Sequence, residues 1–135
     1  MVLFKNADIT VYNRYYDLAS DVYKYQKKVI KGVSWQSKKT GNVSDKGIIL
    51  ADSTLIFADK IDNYVSPKRF AKIEPVEREK YFTFAIGDKI VKGEVDFEVT
   101  GIKPKSISDL ENEFDYVITI KSVNEFSTHI EVEGV

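Results

Sequence analysis

The residues of this chain that could do acid–base or metal chemistry are few and dispersed. Among its 135 residues there is one histidine, His129, and there is no cysteine. A lone histidine completes neither a zinc site nor a catalytic triad, and a chain without cysteine has no disulfides and no iron–sulfur ligands. The sequence therefore predicts no cofactor and no metal, and we interpret His129 as a surface residue at the end of a strand.

Pairs of carboxylates two residues apart are the other candidates for chemistry. Side chains with this spacing share one face of a strand, as a mechanism with two carboxylates requires. The same spacing is found on any strand whose outer face is in solvent. Because no nucleophile with an adjacent base accompanies the pairs, we interpret them as solvent-facing and predict that the chain is not an enzyme. The pairs are Asp96/Glu98, Glu111/Glu113 and Glu131/Glu133.

Two segments contain residue types that contact phosphates or bases. Residues 38–42 (KKTGN) are basic and contain a glycine, but they lack the ordered glycines and the GK[ST] ending of a phosphate-binding loop. Tyr23, Tyr25 and Trp35 stand among lysines and could form a stacking platform for single strands on an OB-like barrel. For Trp35 we expect core packing, because a small barrel needs large side chains to fill it.

Charge is balanced over the chain but segregated along it. Lys and Arg total 20, Asp and Glu total 21, and this removes the basic excess typical of proteins that bind duplex DNA. Residues 24–46 contain seven lysines against one aspartate, whereas residues 106–135 contain seven acids against one lysine. Such a molecule can attract copies of itself head to tail. The alternative is a solvated surface on which the signs happen to segregate.

Strands are expected in the first half of the chain. Alternation over residues 9–13 and 29–35 predicts a hairpin whose return strand runs on through Trp35. Residues 36–47 contain one apolar side chain, Val43, and read as a loop. Residues 47–58 are too apolar for a surface strand and predict two buried strands, or one bent strand, with a break near Asp52.

The second half continues this pattern. Residues 89–92 and 95–100 predict a hairpin around Gly93, and residues 116–123 and 129–133 predict the last two strands. Short helices are expected at Pro75 and after Ser106 or Ser108. We therefore predict one all-β or mainly β domain spanning residues 1–135, a small barrel or sandwich with one or two short helices. The short apolar runs predict a soluble protein without a membrane segment.

Three stretches carry a resemblance to a known family. They are residues 6–13 (NADITVYN), residues 47–60 (GIILADSTLIFADK) with 64–68, and residues 87–101 (GDKIVKGEVDFEVTG). Together they resemble a family of small structural proteins from tailed phages and prophages of Gram-positive bacteria. The last stretch, followed by the strand at 117–120, is similar to the β-barrels of head-closure and head–tail connector proteins. The chain departs from that pattern by an insertion between Gly101 and Tyr116.

The resemblance implies a ring-forming connector in the virion, made in the host cytoplasm. Its partners would be portal or adaptor proteins, tail proteins and further copies of itself in a homo-oligomeric ring, with weak contact to packaged DNA. A tail-terminator or minor head protein, and a nucleic-acid-binding OB-like barrel, remain alternatives. Taken with the charge segregation, the resemblance predicts an interface between a basic and an acidic set of residues. These sets are Lys38, Lys39 and Lys46, and Glu131 and Glu133.

Overall fold

The computed structural model describes the backbone of residues 4–44 and 47–135 and the side chains of residues 4–37 and 53–135. In this part of the chain, six strands close into a barrel in the order β1-β2-β3-β6-β5-β4. The strands are β1 (Ala7–Asp17), β2 (Val22–Ser44), β3 (Gly47–Asp59), β4 (Lys89–Lys92), β5 (Val117–Glu125) and β6 (His129–Gly134), and the helices are α1 (Pro67–Lys72), α2 (Pro75–Arg78) and α3 (Ile107–Glu113).

All neighbouring strands of the barrel are antiparallel, and β1 closes it by pairing with both β2 and β4. The ladders differ in length: β1 pairs with β2 as far as Asp17 but with β4 only over Ile9–Tyr12, so residues 13–17 have a strand partner on one side only. The mainly β fold predicted from the alternation is confirmed. The helices at Pro75 and after Ser106 are present, with Ser106 as the N-cap of the second, and α1 is an additional short helix that was not predicted from the sequence.

The barrel interior is filled from alternate positions of the strands. Ile9 and Val11 of β1 are fully buried, as the alternation predicted, and Trp35 is 5% exposed, which confirms its packing in the core. Tyr64, Phe82 and Phe84 add a cluster of rings whose centroids are 5.6 to 5.9 Å apart. The other strands contribute Ile56, Ala58, Ile90, Ile118, Ile120, Ile130 and Val132.

A second core covers the outer face of β1 and β4. Tyr12 and Val91 point away from the interior, yet both are buried, because the segment 95–99 and Leu110 of α3 pack over them. The Tyr12 hydroxyl donates to the carbonyl oxygen of Phe97 at 2.6 Å. The segment after Gly101 thus includes a helix, α3, that completes this second core.

The predicted strand at 95–100 is wrong. These residues form no ladder, because the two sides of β4 are already occupied by β1 and β5. The segment is held instead by side chains of β1, including Thr10, whose hydroxyl accepts from the Val95 N–H at 3.1 Å. Its alternation still has a structural meaning, since Phe97 is buried in the second core.

The predicted loop at 36–47 is also wrong. β2 continues to Ser44 and β3 starts at Gly47, with residue pairs running without a break from Ser34↔Phe57 to Ser44↔Gly47. β3 is likewise one strand through the position of the expected break. A two-stranded ribbon outside a barrel has no face that must be buried, so its composition need not show the alternation by which strands are recognised.

Candidate assembly interface

The β2–β3 hairpin extends beyond the barrel as a two-stranded arm, which we define as residues 38–44 and 47–53. β1 pairs with β2 only as far as Val33, and β6 pairs with β3 only as far as Thr54. Among the described residues, no third strand pairs with the arm. At about 3.3 Å per residue, the arm reaches roughly 20 Å past the last barrel pair.

The arm differs from the barrel wall in what its backbone offers to another molecule. Each of its strands has one side hydrogen-bonded to the other strand and one side without a strand partner in the described chain. Unpaired strand edges accept a strand from another chain, and a lone two-stranded hairpin is marginally stable in water. The arm is therefore a place in this fold where a neighbour could add a strand.

Two of the predicted basic interface residues lie at the base of the arm. Lys38 is opposite Ser53, and Lys39 is opposite Asp52. Both were assigned to a loop from the sequence, and both are strand positions. The third, Lys46, lies outside the described residues.

The predicted acidic residues lie on β6, the strand next to the base of the arm. Glu133 is exposed and is opposite Leu55 of β3. Glu131 is half-buried, and its carboxylate lies 3.3 Å from Nε2 of His129. Because Leu55 is also opposite Gln36 of β2, the structure brings the predicted acidic positions and Lys38 into the same part of one sheet.

Earlier lysines of the basic region have acidic partners within the chain. Nζ of Lys24 lies 2.8 Å from the Asp17 carboxylate, and this hydrogen bond lowers the pKa of Asp17 to about 2. Charges offset in this way contribute little net attraction to a second molecule. The other pairs are Lys27 with Glu98 at 3.1 Å and with Asp96 at 3.4 Å, and Lys31 with Glu94 at 3.2 Å.

The residues considered for chemistry are not gathered into one site. His129 begins β6, and its ring stacks on Phe126 with the centroids 4.8 Å apart. The carboxylates of Asp96 and Glu98 are exposed and both contact Lys27. In the described part of the chain, no three His, Asp or Glu residues are grouped in a way that could hold a metal ion.

The aromatic residues considered for stacking do not form one platform. Trp35 lies in the core, whereas Tyr23 is 59% exposed and contacts the Tyr16 ring edge to face at 5.3 Å. The guanidinium of Arg14 lies 4.4 Å from the centroid of the Tyr23 ring. The sequence interpretation placed lysines beside these rings and missed Arg14, which is nine residues away in the sequence but one strand away in the hairpin.

Comparison with known proteins gives one family. The model of a family of unknown function (DUF6751) matches residues 4–135, nearly the whole chain. No curated protein and no solved structure matches. Across the described residues, none of the helices has the length and apolar character needed to cross a membrane.

Proposed function

The chain belongs to the DUF6751 family, and we propose that it is a structural virion protein of a tailed phage, a head-closure component that forms a ring between head and tail. The observation that carries the proposal is the arm. Each strand of the arm has one edge without a strand partner among the described residues, so a neighbouring copy could pair with either edge. In a ring each subunit contacts its two neighbours through two different surfaces. An arm that pairs with the next copy would provide one of these surfaces.

The phage context of the proposal rests on the sequence resemblance, and the arm supports the ring. In this context the protein is made in the host cytoplasm and ends in the virion, with portal or adaptor proteins on one side and tail proteins on the other. Lys38 and Lys39 at the base of the arm and Glu131 and Glu133 on β6 are the charged residues that would meet between copies. Packaged DNA would touch the ring only weakly, because the chain has no overall basic excess.

An armless variant tests the proposal. Residues 38–53 are replaced by Asn-Gly, a two-residue turn that suits a hairpin and joins the paired residues Ser37 and Thr54. We expect the barrel to keep its Tm and the near-ultraviolet circular dichroism of its aromatic residues, because no barrel pair is removed and residues 38–53 contain no aromatic side chain. We expect the variant to form no rings by sedimentation velocity and negative-stain microscopy, and to be missing from phage particles made in cells that carry only the armless gene.

The control is a double substitution at the far side of the chain, Lys68→Glu with Lys72→Glu, at two exposed positions of α1. It should assemble as the wild type does. An armless protein that enters particles in wild-type amounts would contradict the proposal. The position of the ring in a cryo-EM map would separate a head-closure protein from a tail-terminator or minor head protein.

The alternative of a nucleic-acid-binding barrel has one observation in its favour, the exposed Tyr23 ring with the Arg14 guanidinium stacked on it. Aromatic rings and arginines are what single strands stack on. This alternative predicts that the wild type binds a single-stranded oligonucleotide, that binding weakens steeply with salt, and that Tyr23→Ala abolishes it while the armless variant retains it.

A further inference from the structure

A cavity of about 280 Å³ lies where the end of β1 and the start of β2 meet α1. Two of the three arginines of the chain, Arg14 and Arg78, line it. Its other walls are mainly aromatic and include Tyr16, Tyr23 and Phe70. No acidic side chain lines this cavity, so the two arginines are the only charged residues in its lining.

Arg78 is buried without a compensating charge. It is 8% exposed, and its guanidinium lies 4.5 Å from the centroid of the Tyr15 ring. One Nη2–H donates to the carbonyl oxygen of Ile73 at 3.2 Å, whereas the buried Nε–H has no acceptor. Among the described residues, neither Arg78 nor Arg14 forms an ion pair.

Burying Arg78 in this way costs free energy unless an anion or a hydrogen-bond acceptor pairs with it. A buried cation needs an opposite charge, and a buried donor without an acceptor costs about 1–3 kcal/mol. Four acids line the neighbouring cavities that Arg78 also borders, and none of them forms an ion pair with it. Asp17 is engaged by Lys24, Glu98 is engaged by Lys27, and Glu74 and Glu79 are exposed. No acidic side chain of the described chain therefore neutralises Arg78 on the side of the 280 Å³ cavity.

We propose that this cavity binds a small oxyanion, a carboxylate or a phosphate, carried on an aromatic or apolar group. Arginines bind such oxyanions through paired N–H donors, and both Arg14 and Arg78 line this cavity. Tyr16, Tyr23 and Phe70 supply the surface on which the carrier group packs. The volume is close to the lower end of small-molecule pockets, about 300–1,000 Å³, which fits a single ring with its anionic group.

The cavity lies at the opposite end of β2 from the arm, since Tyr23 is near the start of that strand and the arm is at its end. Ligand binding here is therefore independent of the proposed ring. The armless variant should bind the ligand as the wild type does, so failure of one proposal leaves the other standing.

The test uses phenyl phosphate as the probe, with benzyl alcohol as an uncharged ring and inorganic phosphate as an anion without a ring. By calorimetry we expect phenyl phosphate to bind best of the three. Arg78→Gln and Arg14→Gln should each weaken binding about tenfold to a hundredfold, because each removes a charge-assisted hydrogen bond. Arg69→Gln, the third arginine and outside the cavity, should leave the affinity unchanged.

A second readout observes the orphan donor directly. In ¹⁵N spectra the Arg78 Nε–H signal of the wild type should shift and become protected from exchange when phenyl phosphate is added. This measurement needs no substitution at Arg78, and Arg14→Gln lies at an exposed residue, so both remain informative if Arg78→Gln does not fold. Benzoate in place of phenyl phosphate shows whether the natural anion is a carboxylate or a phosphate.

Three results would overturn the inference. The first is the absence of phenyl phosphate binding, and the second is binding that Arg14→Gln and Arg78→Gln leave at wild-type strength. The third is an Arg78 Nε–H signal that does not change at saturation. If inorganic phosphate binds as tightly as phenyl phosphate, the ligand needs no aromatic group. If benzyl alcohol binds as tightly as phenyl phosphate, the ligand needs no anionic group.

Discussion

Asp88 is a buried acid whose two carboxylate oxygens are both used by β1. Oδ2 accepts from Asn13 Nδ2 at 2.9 Å, and Oδ1 accepts from the backbone N–H of Arg14 at 3.2 Å. The Asn13 amide is itself fixed, because it accepts from the Thr83 N–H and donates to the Thr83 carbonyl oxygen. This network joins β1 to the chain just before β4.

Asp88→Asn should lower the free energy of unfolding by about 1–3 kcal/mol, because the new amide must turn its NH₂ toward one of two donors that cannot rotate away. The measurement is urea unfolding at pH 7. Asp96→Asn, at an exposed position, is the matched control and should change stability by less than about 0.5 kcal/mol. Equal effects of the two substitutions would mean that the network does not stabilise the fold.

The pH dependence of the same pair of proteins tests the ionisation of Asp88. Burial raises the pKa of Asp88 above its ordinary 3.8, so from pH 3.8 upward the unfolded chain loses its proton before the folded chain does. The free energy of unfolding that Asp88 contributes therefore falls as pH rises through that window. The contribution of Asp17 has the opposite sign, because its pKa is lowered from 3.8 to about 2. The stability that Asp17 contributes is lost as pH falls through that lower range.

We therefore expect the stability gap between wild type and Asp88→Asn to be widest near pH 4 and to narrow toward pH 7. Contributions from all other carboxylates are common to both proteins and cancel in the difference. Urea unfolding at several pH values between 4 and 7 gives the gap directly. A gap that stays constant, or widens with pH, would show that the pKa of Asp88 is not raised.

At the scale of the elements, the close approach of β6 to β5 depends on Gly134, which has no Cβ. A Cβ on Gly134 would lie 2.7 Å from the carbonyl oxygen of Thr119 and 2.7 Å from Cδ1 of Ile118. The first of these atoms belongs to the backbone of β5 and cannot move without opening the barrel at that seam. Glycine at this position therefore allows β5 and β6 to approach.

Gly134→Ala should destabilise the barrel by about 1–3 kcal/mol through overpacking at the β5–β6 seam. Thermal unfolding followed by circular dichroism measures the loss. Glu133→Ala, at the exposed neighbouring position of the same strand, should leave Tm nearly unchanged. If Gly134→Ala is as stable as Glu133→Ala, the two strands can separate slightly without cost.

The elements also show which sequence signals could be read and which could not. The capping box of α3 was readable, because Ser106 and Asp109 satisfy each other locally. The strand at 95–100 was misread, because alternation reports which side chains are buried and not whether the backbone finds a partner. The arm was predicted as a loop because its composition is that of a loop, although its backbone is paired.

At the scale of the whole molecule, the sequence predicted the mainly β class but not which charges act between copies. Lys24, Lys27 and Lys31 count toward a basic region in the sequence, and folding places each beside an acid of the same chain. Those acids come from β1 and from residues 94–98, which no local pattern links to β2. The Arg14 and Arg78 cavity was missed for the same reason, because its residues converge only when β1 and α2 pack together.

The proposed ring predicts that assembly, unlike folding, is sensitive to charge at the base of the arm. Lys38→Glu with Lys39→Glu should reduce ring formation while Tm changes little, because surface ion pairs contribute about 0–1 kcal/mol to stability. Association of the wild type should weaken as salt rises, since interactions between charges on neighbouring subunits are screened. Sedimentation velocity at several salt concentrations measures both effects, with Lys68→Glu and Lys72→Glu as a control of equal charge change.

Charge reversal of the two glutamates on β6 then decides whether the contact is between the predicted partners. If Lys38 and Lys39 of one copy meet Glu131 and Glu133 of the next, adding Glu131→Lys and Glu133→Lys to the arm variant should restore part of the lost association. The two glutamate substitutions alone should impair assembly, because lysines would then face lysines. Recovery in the combined protein cannot come from net charge, since the control pair on α1 changes net charge without touching this surface. If the Lys38 and Lys39 reversal assembles like the wild type at low salt, the base of the arm is not an interface, and a ring built on it is wrong.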